Sequence, residues 1–247
     1  MTGQEPRRLD LELVARGLAR SRTRARELIN NGTVLVDGAV ARRAATRIDA
    51  SSVLEAPTDP YVSRAAHKLA GALDDLGMTV PERALDAGAS TGGFTQVLLE
   101  RGCLQVIAVD VGTDQLAEQL RADPRVRWWP RTNLRDLTLA QVDGVPVGLV
   151  VADVSFISLT MLVAPLIGVT KADGELLLLV KPQFEVGRER LASSGVVRDE
   201  GLRRQAVDGV VASAEVHGWT AAAVVPSRIL GATGNTELFV LLRRRDR

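Results

Sequence analysis

The chain has 247 residues, 46% of them hydrophobic and 25% charged, with a formal net charge of +1. That length buries one full core and leaves room for a small second module. No apolar run approaches the roughly 20 residues of a membrane-spanning helix, and the start, MTGQEPRRLD, has no hydrophobic signal stretch; a monomer in the cytoplasm is expected, with no membrane partner.

Charge is unevenly spread. Residues 1 to 48 carry ten Arg against five acidic residues, a surplus of +5, and the remainder carries −4. A basic front end suggests a polyanionic partner. Leu9, Leu13, Val14 and Leu18 stand at helical spacing, and Ser21 is placed to cap a helix from Arg22 to Asn30 that Gly32 ends. The runs 33–38, Ile48 and Val53-Leu54 suggest short strands with an Asp37-Gly38 turn. The stretch Leu18-Ala19-Arg20-Ser21-Arg22-Thr23-Arg24-Ala25-Arg26 continuing to Gly38 resembles an S4 RNA-binding domain. The resemblance implies phosphate and shape contacts with structured RNA, with Arg20, Arg22 and Arg43 as the foremost contacts and Arg8 beside them. Arg22 and Arg26 share one helix face and Arg20 and Arg24 another, so all four cannot meet one ligand.

Ala56-Pro57-Thr58-Asp59-Pro60 is turn-forming. It divides the chain into a first domain, 1–56, a linker, 57–62, and a larger domain, 63–247. From 62 to 76 the positions of Ala65, Leu69, Ala72, Leu73 and Leu76 predict a helix. Strand candidates then alternate with helices at 84–88, 105–110, 126–130, 147–152, 175–180, 220–225 and 236–242, the pattern of a doubly wound α/β sheet. Cys103, the single cysteine, can form no internal disulfide and reads as a small core residue; His67 and His217 have no metal-ligating neighbours, and no metal is expected. Of Trp128 and Trp129, one is expected to pack inward and the other to lie near the surface.

The first strand candidate runs into Asp86-Ala87-Gly88-Ala89-Ser90-Thr91-Gly92-Gly93-Phe94-Thr95 and then a helical pattern. Small residues there let backbone approach a ligand, and the N–H groups of a helix start offer a polar cradle. The spacing is neither G-x-G-x-x-G nor a phosphate loop with G-K-[ST], which argues against NAD and ATP. With Asp86 before the first glycine and Asp110 closing the next apolar run, the segment resembles the S-adenosylmethionine pocket of Rossmann-like methyltransferases. That resemblance implies cofactor contacts from Asp86, Gly88, Ser90, Thr91, Gly92, Phe94 and Asp110, with Asn133 and Phe156 beside adenine and methionine. It also implies a seven-stranded sheet with its last strand antiparallel.

Only three of the 31 basic residues are lysines, and two of them, Lys68 and Lys181, fall beside predicted strand ends or the helix before them. Asp153 closes one apolar run, Lys181 closes the next, and Glu237 opens the last; ligands of open parallel sheets bind at that carboxyl edge. Lys68, Asp153, Lys181 and Glu237 resemble, in order and context, the K-D-K-E tetrad of FtsJ-like RNA ribose 2′-O-methyltransferases. Together with the S4-like front, the segments SRAAHKL, ADVSFIS and VKPQFEVG resemble the TlyA family, with Ala65 where that family often has Gly.

The resemblance implies an S-adenosyl-L-methionine-dependent enzyme methylating a cytidine ribose in ribosomal RNA or ribosomal subunits. Lys181 would be the general base, its pKa lowered by Lys68 and the sulfonium; Lys68 would orient the ribose; Asp153 and Glu237 would hold the two ammonium groups. Arg64, Arg131 and Arg135 would guide phosphates, and the polar stretch 182–203 would form a flap over RNA. The alternatives are methylation of another RNA or of a base atom, and a non-enzymatic RNA-binding or haemolysin-like protein. A haemolysin label is frequent in the family, yet neither a spanning helix nor a barrel-like set of strands is predicted.

Overall fold

In a computed structural model the chain divides into two compact units, Met1–Pro60 and Tyr61–Arg247. The structure describes residues 5–19, 21–57, 59–187, 190–191 and 195–245. In the first unit, β1 (Arg7–Arg8) leads into α1 (Leu9–Ala15), followed by α2 (Arg22–Asn30), β2 (Leu35–Val36), β3 (Ala39–Val40), β4 (Arg47–Ile48) and β5 (Leu54–Glu55). Ser21 caps α2 by accepting the Arg24 N–H, as its position predicts. Asp37 and Gly38 both adopt positive φ, the conformation a two-residue hairpin turn requires, and join β2 to β3. The Ile48 strand pairs with β1 and not with that hairpin, forming a separate ribbon. Leu9, Leu13, Ala25, Leu28, Ile29 and Val34 close a small core.

The second unit opens with α3 (Ala65–Asp75). It continues through β6 (Arg83–Ala87), α4 (Gly93–Glu100), β7 (Gln105–Val109), α5 (Glu118–Arg121), β8 (Val126–Trp129), β9 (Val147–Ala152), α6 (Val163–Gly168) and β10 (Thr170–Val180). Then come α7 (Pro182–Glu185), α8 (Glu200–Glu215), β11 (Trp219–Pro226) and β12 (Leu238–Arg244). These strands form one seven-stranded sheet in the order β11-β12-β10-β9-β6-β7-β8, parallel except for β12. The last strand is therefore antiparallel, as the methyltransferase resemblance implies.

The central strands are buried on both faces and read as continuous Val/Leu/Ile/Ala runs, because helices cover both sides. One layer packs α6 and α8 on the sheet through Val163, Leu166, Val207 and Val210; the other packs α3 and α4 through Leu69, Leu73, Val97 and Leu98. Tyr61 and Val62, inside the expected linker, pack against that second layer. Cys103 is fully buried, which raises its thiol pKa, as a core residue's should be.

Two expectations change. Trp128 and Trp129 are both half-buried and pack into opposite layers, because consecutive residues on edge strand β8 point to opposite faces. The stretch 182–203 is not one long loop: Pro182 opens the helical turn α7, and Asp199, accepting the Leu202 N–H, starts α8.

Candidate active site

Where β6 ends, the chain makes a turn that only glycine allows. Gly88 has φ +85°, and a Cβ there would stand 2.8 Å from the Asp153 carbonyl oxygen, so the two strand-end loops touch backbone to backbone. Gly92 has φ +95° and a Cβ there would collide with Leu120. Beside this turn, at the carboxyl edge of the sheet, lies a cavity of about 340 Å³.

Of the residues the resemblance assigns to a cofactor, Gly88, Ser90, Asp110, Asn133 and Phe156 form part of its wall. Asp110 is stitched into both adjoining loops: Oδ2 accepts the Ser90 N–H at 2.8 Å and Oδ1 accepts the Gly112 N–H at 2.7 Å. Asp86, Thr91, Gly92 and Phe94 lie outside that wall. Phe94 is a core residue, 2% exposed and stacked on Phe239 with centroids 6.1 Å apart. Asp86 is wholly buried; Thr95 donates its hydroxyl to Oδ2 at 2.6 Å, while Oδ1 has no hydrogen-bond partner among the described residues. Burial pushes this carboxyl up to about 7.

Lys68, Asp153, Lys181 and Glu237 form two ion pairs. Lys181 Nζ stands 2.6 Å from Asp153 Oδ1, and Asp153 is itself in the cavity wall. Lys68, on α3, donates to Glu237 Oε2 at 2.6 Å. The register of β10 on β12, with Val180 opposite Leu238, brings Lys181 and Glu237 to neighbouring strand ends. All four are largely withdrawn from water; Lys68 is 8% exposed and Glu237 2%. The sequence pattern places these four residues together with a carboxylate for each ammonium group, and the structure pairs Lys181 with Asp153 and Lys68 with Glu237.

Three contributors go unpredicted. Ser155 accepts from Lys181 Nζ at 2.8 Å. Gln115 accepts the Ser90 hydroxyl at 3.0 Å and also lines the cavity. Glu185 accepts the Ser158 hydroxyl at 2.5 Å and the Leu159 N–H at 2.9 Å, tying α7 to the loop after β9; burial raises its pKa. Ser155 and Glu185 sit inside the two segments that carry the tetrad, so their polar character beside Asp153 and Lys181 is the signal that finds them. On the loop that Glu185 holds, Phe156 is 92% exposed at φ +66°, its ring 5.3 Å from that of Phe184.

The arginines divide. In the first unit Arg8, Arg22 and Arg26 converge on Asp10 at 3.0, 2.9 and 3.1 Å, and hold its fully buried carboxyl well below the usual carboxylate range. Arg22 and Arg26 do share a face, as their spacing predicts. Arg43 is exposed, and Arg20 lies outside the described residues. In the second unit Arg64 donates to the Leu230 carbonyl at 3.3 Å, Arg135 lies against Met161 Sδ at 3.2 Å, and Arg131 is exposed at φ +52°. No helix among the described residues is long and apolar enough to cross a membrane.

The sequence matches the model of the FtsJ-like methyltransferase family over residues 61–244 and that of the S4 domain over 7–54. The chain is 49% identical to the 16S/23S rRNA (cytidine-2′-O)-methyltransferase TlyA of Mycobacterium tuberculosis, over 96% of this chain and 89% of that one. It is 34% identical to the 23S rRNA (cytidine-2′-O)-methyltransferase TlyA of Campylobacter jejuni, over 92% and 95%. Its fold matches the solved structure of a hemolysin-named protein from Streptococcus thermophilus with a TM-score of 0.77 and 34% identity, covering 98% of this chain and 90% of that one. With two family models matched in succession and relatives aligned along nearly the whole length, the chain belongs to the TlyA family, an S4 domain joined to an FtsJ-like methyltransferase domain.

Proposed function

We propose that this protein transfers a methyl group from S-adenosyl-L-methionine to the ribose 2′-hydroxyl of a cytidine in ribosomal RNA. The observation that carries the reading is the doubled ion pair, Lys181 with Asp153 and Lys68 with Glu237, each at 2.6 Å, with Asp153 in the wall of a cavity of cofactor size. The relatives' activity on rRNA cytidine supports it.

The residues present fit the cofactor. Gly88, without a side chain, lets the Asp153 loop close against the turn and takes part in the wall, Asp110 offers the remaining lone pairs of a carboxylate already fixed by two N–H groups, and Asn133 and Phe156 complete the wall. Asp86 is outside that wall and wholly buried, with Oδ1 unpartnered among the described residues. When bound, the cofactor supplies a methyl group on a sulfonium sulfur, ready for in-line displacement.

A ribose hydroxyl attacks poorly until its proton is removed. Lys181 would accept that proton from the 2′-oxygen at Nζ. Asp153 and Ser155 fix the direction of Nζ. Lys68, anchored by Glu237, orients the ribose and stabilises charge developing on the oxygen. Arg43, Arg22 and Arg8 of the S4 domain hold the RNA by phosphate contacts, with Arg64, Arg131 and Arg135 doing so on the catalytic domain. Ribosomal RNA as substrate locates the reaction in the cytoplasm, and no step needs a second copy of the chain.

The test is alkaline hydrolysis of rRNA methylated in vitro. A 2′-O-methyl group blocks cleavage at the modified nucleotide, so labelled alkali-resistant dinucleotides beginning with cytidine support the reading. Label released only in mononucleotides assigns the methyl group to a base and contradicts it.

A further inference from the structure

The chain from Ser227 to Glu237 crosses the carboxyl edge between β11 and β12 and ends at the carboxylate that holds Lys68. Its interior is occupied by an amide. Asn235 is fully buried; its Oδ1 accepts the Val197 N–H at 2.8 Å, and its Nδ2 donates to the Gly195 carbonyl and the Thr233 hydroxyl, both at 3.0 Å. Its own carbonyl accepts the Gly231 N–H at 2.9 Å, closing a tight turn. Gly231 is where Glu237 rests: a Cβ there would collide with Oε1. Ser227 in turn donates its N–H to the Glu237 carbonyl at 2.9 Å.

An apolar residue would fill this interior without satisfying the backbone groups of Gly195 and Val197 or the Thr233 hydroxyl, whereas the amide meets all three with three of its four hydrogen-bonding sites. The turn it closes is the surface against which the Glu237 carboxylate packs. We propose that Asn235 is a positioning residue for the Lys68–Glu237 pair, fixing the Gly231 turn that sets where Glu237 holds the ammonium group. The inference rests on the reading that this pair serves methyl transfer.

Two measurements on the full-length protein test it. The first is a double-mutant cycle of Asn235→Ala and Glu237→Gln, read as the single-turnover rate of methyl transfer, with affinity for S-adenosylhomocysteine as a check on folding. If Asn235 acts through Glu237, Asn235→Ala lowers the wild-type rate about 10- to 100-fold and has little further effect in the Glu237→Gln background. The same factor in both backgrounds, or an unchanged rate, overturns the inference. The second reads Lys68 directly: acylation of Lys68 by an amine-reactive reagent, referred to exposed Lys171 in the same sample. Asn235→Ala raises the ratio if Asn235 holds the pair, and an unchanged ratio overturns the inference whether or not methyl transfer is observed. Asn235→Asp keeps the acceptor for Val197 and loses the donor to Gly195; should Asn235→Ala not fold, it is read the same way. A wild-type protein that transfers no methyl group defeats the proposed function alone, because the acylation ratio still decides the role of Asn235.

Discussion

Lys68 and Glu237 are separated by 169 residues in the chain yet meet at 2.6 Å with less than a tenth of either exposed to solvent. Removing one partner leaves the other charge buried. Glu237→Ala should therefore destabilise the protein by about 3–5 kcal/mol, measured by chemical denaturation. Lys68→Met combined with Glu237→Leu should recover most of that loss and still transfer no methyl group. A double variant that regains activity along with stability would give the pair a structural role only.

The Asp86 carboxyl has a distinct pH signature. Its pKa is pushed up to about 7 in the folded protein by burial and lies near 3.8 when unfolded, so the folded state binds the extra proton between those values. Its contribution to stability is complete below about pH 4 and falls by up to about 1.4 kcal/mol for each pH unit as pH rises toward 7, then levels off. Asp86→Asn removes this dependence. The difference in melting temperature between wild type and Asp86→Asn should move in favour of the variant from pH 4 to pH 7 and stay constant above that.

Gly88→Ala combines a left-handed backbone with a Cβ 2.8 Å from the Asp153 carbonyl. The backbone cost alone is about 1–2 kcal/mol. The displaced Asp153 loop should abolish cofactor binding, seen by calorimetry with S-adenosylhomocysteine, and a wild-type dissociation constant would show that the turn does not form the cradle.

Arg43 and Asp10 should separate RNA binding from folding. Arg43 is exposed, so Arg43→Ala should leave the melting temperature unchanged, weaken rRNA binding, and reduce the slope of log affinity against log salt by about 0.7–0.9. Asp10 is the common anchor of Arg8, Arg22 and Arg26, so Asp10→Asn should lower stability. Because folding holds its carboxyl below the usual range, the stability Asp10 confers is present above that range and is lost as pH falls through it.

The sheet was legible because its strands are unbroken apolar runs ended by chemistry-bearing residues, as in the run of leucines before Val180 and Lys181. Glu237 could be brought beside Lys181 once the resemblance to Rossmann-like methyltransferases supplied an antiparallel last strand next to the Lys181 strand. What stayed hidden depends on side-chain direction. Phe94 follows the glycine turn, and only the structure shows its ring in the core against Phe239 and not in the cavity wall. The alternating arginines gave away a shared face but not Asp10 as its counter-charge, because that pairing joins α1 to α2. Ser155 was overlooked for the opposite reason: it stands inside a motif already explained by its neighbour Asp153.

Activation of the acceptor hydroxyl by Lys181 is tested by transfer of labelled methyl from S-adenosyl-L-methionine to unmodified 30S and 50S subunits by wild type and Lys181→Ala. The expected result is label on rRNA ribose from the wild type, a rate lower by about 10²–10⁴ in the variant, and unchanged affinity for S-adenosylhomocysteine. Turnover of Lys181→Ala at the wild-type rate would contradict it.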